Sequence, residues 1–209
     1  METKIQFEAQ LACALRGKNL TIKSEQFEML SRHFALLQKW RDVHNLTTVR
    51  GVDNIVFHHY LDCLLGLSFL QIPHNVFDFG SGAGFPGLIA PVLWPQANVV
   101  LVEASRKKCS FLREASREMG LKNTEIKQLR VEELKNVAFA ISRATFSLPK
   151  LQLASKALAV GGQIALWLTE MSEKTDQYAA SNLVKENEFP YQWQGIELRK
   201  VVLLRKVCF

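Results

Sequence analysis

The sequence predicts an α/β protein with an open, mostly parallel β-sheet. The stretch Asn75–Gly87 reads NVFDFGSGAGFPG, and an apolar run followed by closely spaced glycines is typical of a buried strand that ends in a tight turn. Val99–Val102 is an unbroken apolar run, as expected of a parallel strand covered on both faces. The apolar residues between Leu88 and Leu93 have helical spacing. Together these segments form the strand–turn–helix–strand unit that builds a pocket at the carboxyl ends of an open sheet.

Length and composition favour a globular protein with a basic surface. At 209 residues, with 48% hydrophobic and 22% charged residues, the chain is predicted to form one domain with a small N-terminal addition. It has no apolar run near the ~20 residues of a membrane span and no signal-like N-terminus, so we expect a cytoplasmic protein outside the membrane. Four cysteines without a CxxC pair favour reduced thiols. A net charge of +6 favours a polyanionic partner, although a basic protein without one fits equally well.

Residues 1–70 are predicted to form a helical N-terminal cap, and residues 71–209 a compact core domain. A first helix is expected over residues 2–16 and a second is expected to begin with Ser24 as its N-cap. The predicted buried faces are Ile5, Ala9, Ala12 and Leu15 in the first helix, and Phe27, Leu30, Phe34, Leu37 and Trp40 in the second.

A further helix carries His58, His59 and Asp62. Adjacent residues on a helix point roughly 100° apart, so the two histidines do not face one metal ion, and no metal site is predicted. His59 and Asp62 are three residues apart and could hydrogen-bond on one face. This pair either ties the helix to the preceding loop or forms a wall of a substrate pocket.

The glycine turn has three interpretations. Gly80-Ser-Gly82-Ala-Gly84 is the GxGxG with which methyltransferases hold S-adenosylmethionine, Gly82 to Gly87 is also a formal GxGxxG of dinucleotide-binding proteins, and a turn without a ligand is the third. Glu103 follows the second predicted strand, some 20 residues past the glycines, where an acid is expected to bind a ribose hydroxyl pair. It could otherwise be a helix cap.

Cations follow two of the predicted strands. Arg106, Lys107 and Lys108 open a helix, where positive charge opposes the helix dipole, so they indicate either a nearby nucleic-acid phosphate or a solvated basic face. Arg143 follows the predicted strand Val137–Ile141, in position to meet a ligand or RNA, or to form a surface salt bridge. The remaining predicted elements are a strand over Thr124–Leu129 with Arg130–Glu133 at an adenine-binding position, a helix over Leu148–Leu158, a turn at Gly161-Gly162, a strand over Gln163–Leu168, a polar helix over Glu170–Lys185, and a closing hairpin of Ile196–Leu198 and Val201–Val207.

The motifs taken together resemble the glucose-inhibited division protein B family of class I, Rossmann-like methyltransferases. The resemblance covers roughly residues 20 to 170, and Phe-Pro-Gly directly after the glycine motif is its most specific part. The matching segments are Leu37-x-x-Trp40, Asn45-Leu46-Thr47, His59-x-Leu61-Asp62, Asp78 to Gly87, Glu103, Lys107-Lys108, Phe111-Leu112, Arg130 to Glu133 and Ile141 to Ala144.

The resemblance implies methylation of guanine N7 in 16S ribosomal RNA, with S-adenosyl-L-methionine as cofactor and the RNA or a small-subunit precursor as partner of a monomeric enzyme. It implies no catalytic acid or base, because N7 is already nucleophilic. The implied cofactor-binding residues are Gly80, Gly82, Gly84, Phe85, Glu103, Val131, Glu132 and Arg143, and the implied RNA-binding residues are His59, Arg106, Lys107, Lys108 and Arg143.

The chain departs from the family pattern at three places. It lacks the acid that usually precedes Ser-Arg-Ala, has Trp167-Leu168 where Lys-Gly usually ends the fifth strand, and has His44 in place of tyrosine. These changes affect the expected substrate side, so a non-catalytic RNA- or ribosome-binding protein with the same fold is an alternative. A nicotinamide-dependent dehydrogenase is a second alternative, but no Tyr–Lys pair at helical spacing supports it.

Overall fold

A computed structural model describes residues 2–143, 148–169, 176–193 and 198–208. Their centre is a seven-stranded sheet with the order β3-β2-β1-β4-β5-β7-β6. The strands are β1 (Asn75–Phe79), β2 (Asn98–Val102), β3 (Thr124–Lys127), β4 (Val137–Arg143), β5 (Leu158–Thr169), β6 (Leu183–Tyr191) and β7 (Arg199–Lys206). The first five are parallel, and β7 runs antiparallel between β5 and β6. The predicted α/β class, with its mostly parallel sheet and C-terminal antiparallel hairpin, is therefore confirmed.

Helices cover both faces of the sheet. The N-terminal half supplies α1 (Glu2–Leu15), α2 (Ser24–His44), α3 (Val52–Ile55), a π-helical turn (Val56–Leu61) and α4 (Asp62–Ser68). The later helices are α5 (Ala90–Leu93), α6 (Arg106–Met119), α7 (Leu148–Ala157) and α8 (Asp176–Ala179), with a 3₁₀ turn at Val131–Glu133. Within the described residues, no helix combines the length and apolar character needed to cross a bilayer.

Alternating side chains of the central strands feed two hydrophobic clusters. Leu101 packs with the N-terminal helices and α6, whereas Val100 and Val102 pack with α7 on the other face. This division explains why β2 has no polar position in its interior. The first cluster extends from Phe7 in α1 to Val201 in β7, so one continuous apolar interior joins the helical cap to the sheet.

The first helix buries a different face from the one predicted. Of the four predicted residues only Leu15 is buried, since Ile5 is 63% exposed and Ala9 and Ala12 are also exposed, whereas Phe7 and Leu11 are buried. Phe7 stacks on Phe34 of α2 with ring centroids 4.3 Å apart, so the aromatic residue determines which face turns inward. In α2 the predicted apolar stripe is confirmed, although Lys23 rather than Ser24 occupies the N-cap position.

The C-terminal prediction is wrong in its elements. A polar helix is expected over Glu170–Lys185, but only Asp176–Ala179 is helical in the described residues of this stretch, and β6 begins at Leu183. The hairpin partner of β7 is β6; Ile196 and Glu197 of the predicted strand lie outside the described residues. β6 is an edge strand, where charged residues and Pro190 are tolerated, and its polar sequence therefore hid its strand character.

Candidate active site

The glycine turn forms the floor of a cavity at the carboxyl end of β1. The cavity measures about 250 Å³ and is lined by Leu46, Thr47, His59, Gly80, Ser81, Gly82, Ala83, Phe85, Lys108 and Arg143. Gly80, Gly82 and Gly84 have φ angles of 75°, 56° and 85°, which confirms that the turn uses conformations that L side chains rarely adopt. A β-carbon on Gly82 would meet no atom closer than 3.8 Å, so the floor has free space above it.

Backbone and side-chain hydrogen bonds hold the turn in place. The amides of Gly80 and Ser81 donate to Val102 O of β2, at 2.9 and 3.1 Å. Glu103 Oε2 accepts from Gly82 N at 3.0 Å, and its Oε1 accepts from Ser105 N at 2.8 Å. Each carboxylate oxygen can accept a second bond, so Glu103 both anchors the turn and keeps acceptor capacity for a ligand.

Asp78 supports the turn from below. Its carboxylate is buried, and Oδ2 accepts the amide of Gly87 at 3.1 Å. A β-carbon on Gly87 would collide with the same oxygen, which explains why the last residue of Phe-Pro-Gly carries no side chain. Burial raises the pKa of Asp78 to about 7, because few groups compensate the charge.

His33 anchors the far side of the turn. Its Nε2 donates to Ala83 O at 3.0 Å, and its Nδ1 accepts from the Tyr60 hydroxyl at 2.8 Å. Burial lowers the pKa of His33 to about 4, so the ring is neutral near pH 7. No sequence motif indicated His33 as a site residue. It lies on the apolar face of α2 with Leu30 and Phe34, so the sequence pattern there predicts only core packing.

The opposite wall of the cavity is built from the helical cap and β4. Arg143, at the end of β4, has a side chain only 12% exposed. It donates to Asp62 Oδ2 at 3.0 Å, to His58 O at 2.6 Å and to His59 Nδ1 at 2.7 Å. Of the three interpretations offered for Arg143, the salt bridge is present, and it is buried rather than on the surface. The side chain also reaches the cavity.

The expected direct bond between His59 and Asp62 is wrong. Arg143 lies between them, and the π-helical turn at Val56–Leu61 changes the spacing that an α-helix would give. His59 is nevertheless tied to the preceding loop, since its Nε2 lies 2.7 Å from Thr47 Oγ1. It also lines the cavity.

Phe85 is the aromatic centre of this wall. Its side chain is 5% exposed and stacks on His59, with ring centroids 4.7 Å apart. Arg143 Cζ lies 5.4 Å from the ring centroid, within range of a cation–π contact. Burial, and then the positive charge of Arg143, lower the pKa of His59 to about 3, so this histidine is neutral near pH 7.

Trp167, a departure from the family pattern, lies beneath the cap rather than in the cavity. Its indole N–H donates to Asp62 O at 3.1 Å, and its ring takes the space where Gly66 lacks a β-carbon. Asp62 Oδ1 accepts from the Tyr191 hydroxyl at 2.8 Å and lies 2.8 Å from Arg199 Nε. The tryptophan at position 167 is therefore accommodated by packing beside Gly66 and Asp62.

Of the other expected site residues, Lys108 lines the cavity, and Arg106, Lys107, Val131 and Glu132 do not. Arg106 and Lys107 are exposed in the first turn of α6, and Lys108 is half-buried and lines the cavity. Val131 packs against the second hydrophobic cluster, and Glu132 is exposed. Both follow β3, on the same edge of the sheet as Glu103.

Comparison with known proteins places this geometry in a family. The sequence model of the GidB family, described as rRNA small subunit methyltransferase G, matches residues 6–200. The chain belongs to this family. The confirmed membership rules out a dehydrogenase built on the GxGxxG interpretation, and it agrees with a fold whose glycine turn is followed by an acid at the end of β2.

Individual relatives agree with the assignment, and solved structures share the fold. The chain is 32% identical over 188 residues to the ribosomal RNA small subunit methyltransferase G of Dichelobacter nodosus, with 88% of each chain covered. It is 41% identical over 133 residues to the Nitrosomonas europaea protein of that name, with 62% of each covered. The fold resembles a ribosomal protein L11 methylase from Lactobacillus delbrueckii subsp. bulgaricus, with a TM-score of 0.57, 14% identity and coverage of 71% and 79%. It also resembles a SAM-dependent methyltransferase from Aquifex aeolicus, with a TM-score of 0.51, 14% identity and coverage of 65% and 84%.

Proposed function

We propose that this enzyme transfers the methyl group of S-adenosyl-L-methionine to N7 of a guanine in 16S ribosomal RNA. The observation that carries the proposal is the cavity between the glycine turn and the wall formed by His59, Phe85 and Arg143. One side of this cavity is the backbone of the glycine turn, to which Glu103 is bound through the amide of Gly82, and these polar groups suit the polar ends of the cofactor. The other side is aromatic and cationic, which suits a base.

The residues on the glycine side fit the cofactor. Gly82 leaves open space above the turn, and Glu103 retains acceptor capacity toward a pair of ribose hydroxyls. We assign cofactor binding to the sheet edge formed by the ends of β1, β2, β3 and β4, with Gly80, Gly82, Gly84, Phe85, Glu103, Val131, Glu132 and Arg143 as the contributing residues. For Arg143 the contribution is mainly positional, because its guanidinium is already bound by Asp62.

The RNA is proposed to approach along α6. Arg106 and Lys107 are exposed in the same turn of α6 as Lys108, which lines the cavity, so all three can meet phosphate groups. His59 lies deeper, where a base extruded from a loop would be inserted. We propose that the enzyme acts as a monomer in the cytoplasm, on the free RNA or on a precursor of the small subunit.

The mechanism needs orientation rather than acid–base chemistry. The bound cofactor supplies an electrophilic methyl group with a good leaving group. Guanine N7 supplies its own lone pair, so the side chains need only hold the base in line and exclude water, and orientation alone can contribute several kcal/mol. The neutral state of His59 near pH 7 and the buried Phe85 ring suit this role.

The test uses two glycines with matched geometry. Gly82 and Gly120 have φ angles of 56° and 71°, and a β-carbon at either would meet no atom within 3.7 Å. Asparagine tolerates this backbone region, so Gly82→Asn fills the cavity floor while Gly120→Asn introduces the same residue at the end of α6. Transfer from labelled cofactor to 16S RNA, and cofactor affinity by calorimetry, are expected to be lost only in Gly82→Asn. Equal activity in both variants, or cofactor binding by the wild type without transfer to free RNA or small subunits, would overturn the proposal.

A further inference from the structure

Thr47 lines the cavity, and its hydroxyl group contacts His59, another residue of the lining. Its Oγ1 accepts the backbone N–H of Val49 at 3.1 Å and lies 2.7 Å from His59 Nε2. A threonine hydroxyl has two acceptor positions and one hydrogen to donate. The direction of the hydrogen bond to His59 therefore decides whether the Thr47 hydroxyl can still donate or still accept a bond in the cavity.

Arg143 fixes that direction. A guanidinium has only donors, and Arg143 Nη2 lies 2.7 Å from His59 Nδ1, so Nδ1 must accept. The hydrogen of the neutral imidazole is then on Nε2, which donates it to Thr47. His58 O, 3.1 Å from the same Nδ1, accepts instead from Arg143 Nη1 at 2.6 Å.

Buried contacts hold this arrangement rigid. Asp62 is fully buried and accepts from Arg143 Nη1 at 3.0 Å, and the stacking on Phe85 restrains the His59 ring. A chain of hydrogen bonds thus runs from Asp62 through Arg143 and His59 to Thr47. Both acceptor positions of Thr47 Oγ1 are filled, and within the described residues no acceptor contacts its hydroxyl hydrogen.

We propose that Thr47 determines base specificity by donating this hydrogen to O6 of the target guanine, an inference that rests on the proposed function. Guanine carries the acceptors N7 and O6 side by side, whereas adenine has an amino donor in place of O6. A hydroxyl donor placed beside N7 can therefore hydrogen-bond to guanine O6, whereas in adenine it would face the amino group, which is also a donor. The partner is O6 rather than N7, because the lone pair of N7 must stay free to attack the methyl group.

The test removes the donor and its partner separately. Thr47→Val keeps the shape without the hydroxyl, and Thr47→Ser keeps the hydroxyl. The substrates are 16S RNAs in which the mapped target guanine is kept, replaced by 2-aminopurine (N7 without O6), or replaced by hypoxanthine (N7 and O6 without the 2-amino group). The wild type and Thr47→Ser are expected to favour guanine and hypoxanthine over 2-aminopurine by about tenfold in kcat/KM. Thr47→Val is expected to lose this preference while its cofactor affinity, measured by calorimetry, stays unchanged.

Three results would contradict the inference. A Thr47→Val enzyme that keeps the full preference for guanine over 2-aminopurine would show that another group reads O6. Loss of cofactor affinity in Thr47→Val but not in Thr47→Ser would show that the hydroxyl serves the cofactor. A wild type that methylates no guanine would overturn the proposed function itself and with it this role of Thr47, a result distinct from the other two.

Discussion

Gly66 lies where the helical cap meets the sheet, and replacing it by alanine tests how tightly the two fit. A β-carbon on Gly66 would lie 2.5 Å from Trp167 Cε2 and closer still to its Nε1. The indole has little room to move, since Trp167 is 3% exposed and its N–H is bound to Asp62 O. The substitution must therefore displace the ring or the helix.

The expected cost of Gly66→Ala is about 2 kcal/mol in free energy of unfolding. Overpacking of a close-packed interior costs about 1–3 kcal/mol, and loss of the buried indole hydrogen bond adds about 1 kcal/mol. The better helix propensity of alanine offsets about 1 kcal/mol of this. In a Trp167→Leu background the clash is gone, so the same change is expected to be neutral or to stabilise by up to about 1 kcal/mol.

Urea unfolding of the wild type, Gly66→Ala, Trp167→Leu and the double variant, followed by far-ultraviolet circular dichroism, measures the coupling between residues 66 and 167. A coupling free energy of at least about 2 kcal/mol is expected. Equal costs of Gly66→Ala in the two backgrounds would refute the assignment of Trp167 as the residue that requires glycine in α4.

Three further predictions concern charge. Asp62→Asn is expected to lower the free energy of unfolding by about 3 kcal/mol, because the nearly buried Arg143 and Arg199 lose their countercharge. The surface control Glu114→Gln should cost under about 1 kcal/mol. Equal costs of the two substitutions in urea unfolding would contradict this prediction. The pKa of His33 is lowered to about 4, below its value in the unfolded chain, so the unfolded state binds a proton first and the protein loses stability as the pH falls. Between about pH 7.5 and about pH 5.5, the difference in free energy of unfolding between the wild type and His33→Gln should shrink by about 1.3 kcal/mol. A difference that stays constant over this range would contradict the prediction. Lys107→Ala should weaken RNA binding and reduce the slope of log affinity against log salt concentration by about 0.7–0.9. Lys122→Ala, which lies before β3 and so at the opposite ends of the strands, should change neither. Equal slopes for the two variants would argue against an RNA path along α6.

The sequence was informative where local pattern and long-range packing agree. The glycine turn, the apolar β2 and the acid that follows it are all local features, and each adopts the conformation that its residues favour. The aromatic stripe of α2 is similarly explicit. These features were sufficient to place the cavity at the correct edge of the sheet.

Other features depend on contacts that no local pattern contains. The inward face of α1 carries Phe7, which packs on Phe34, whereas Ile5 on a neighbouring face is exposed. β6 is polar because it is an edge strand, and it resembles a helix until its pairing with β7 is known. In both cases a tertiary contact outweighs the local periodicity.

The bonding of the site residues was likewise hidden from the sequence. Arg143 was expected to meet a ligand or RNA or to form a surface salt bridge, and the salt bridge that it forms is buried, with Asp62 of a helix more than eighty residues earlier. That pairing sets the hydrogen position on His59 and gives Thr47 its role. Only the three-dimensional arrangement shows that Thr47 has a single hydrogen left to donate.

Mapping the transferred methyl group tests the central claim most directly. The 16S RNA is incubated with the enzyme and S-adenosyl-L-methionine, reduced with borohydride and cleaved with aniline, which breaks the chain at N7-methylguanine. One new cleavage is expected at a single guanine, absent with Gly82→Asn and present with Gly120→Asn. A methyl group on any other atom, or cofactor binding with no methylated position in the free RNA or the small subunit, would contradict it.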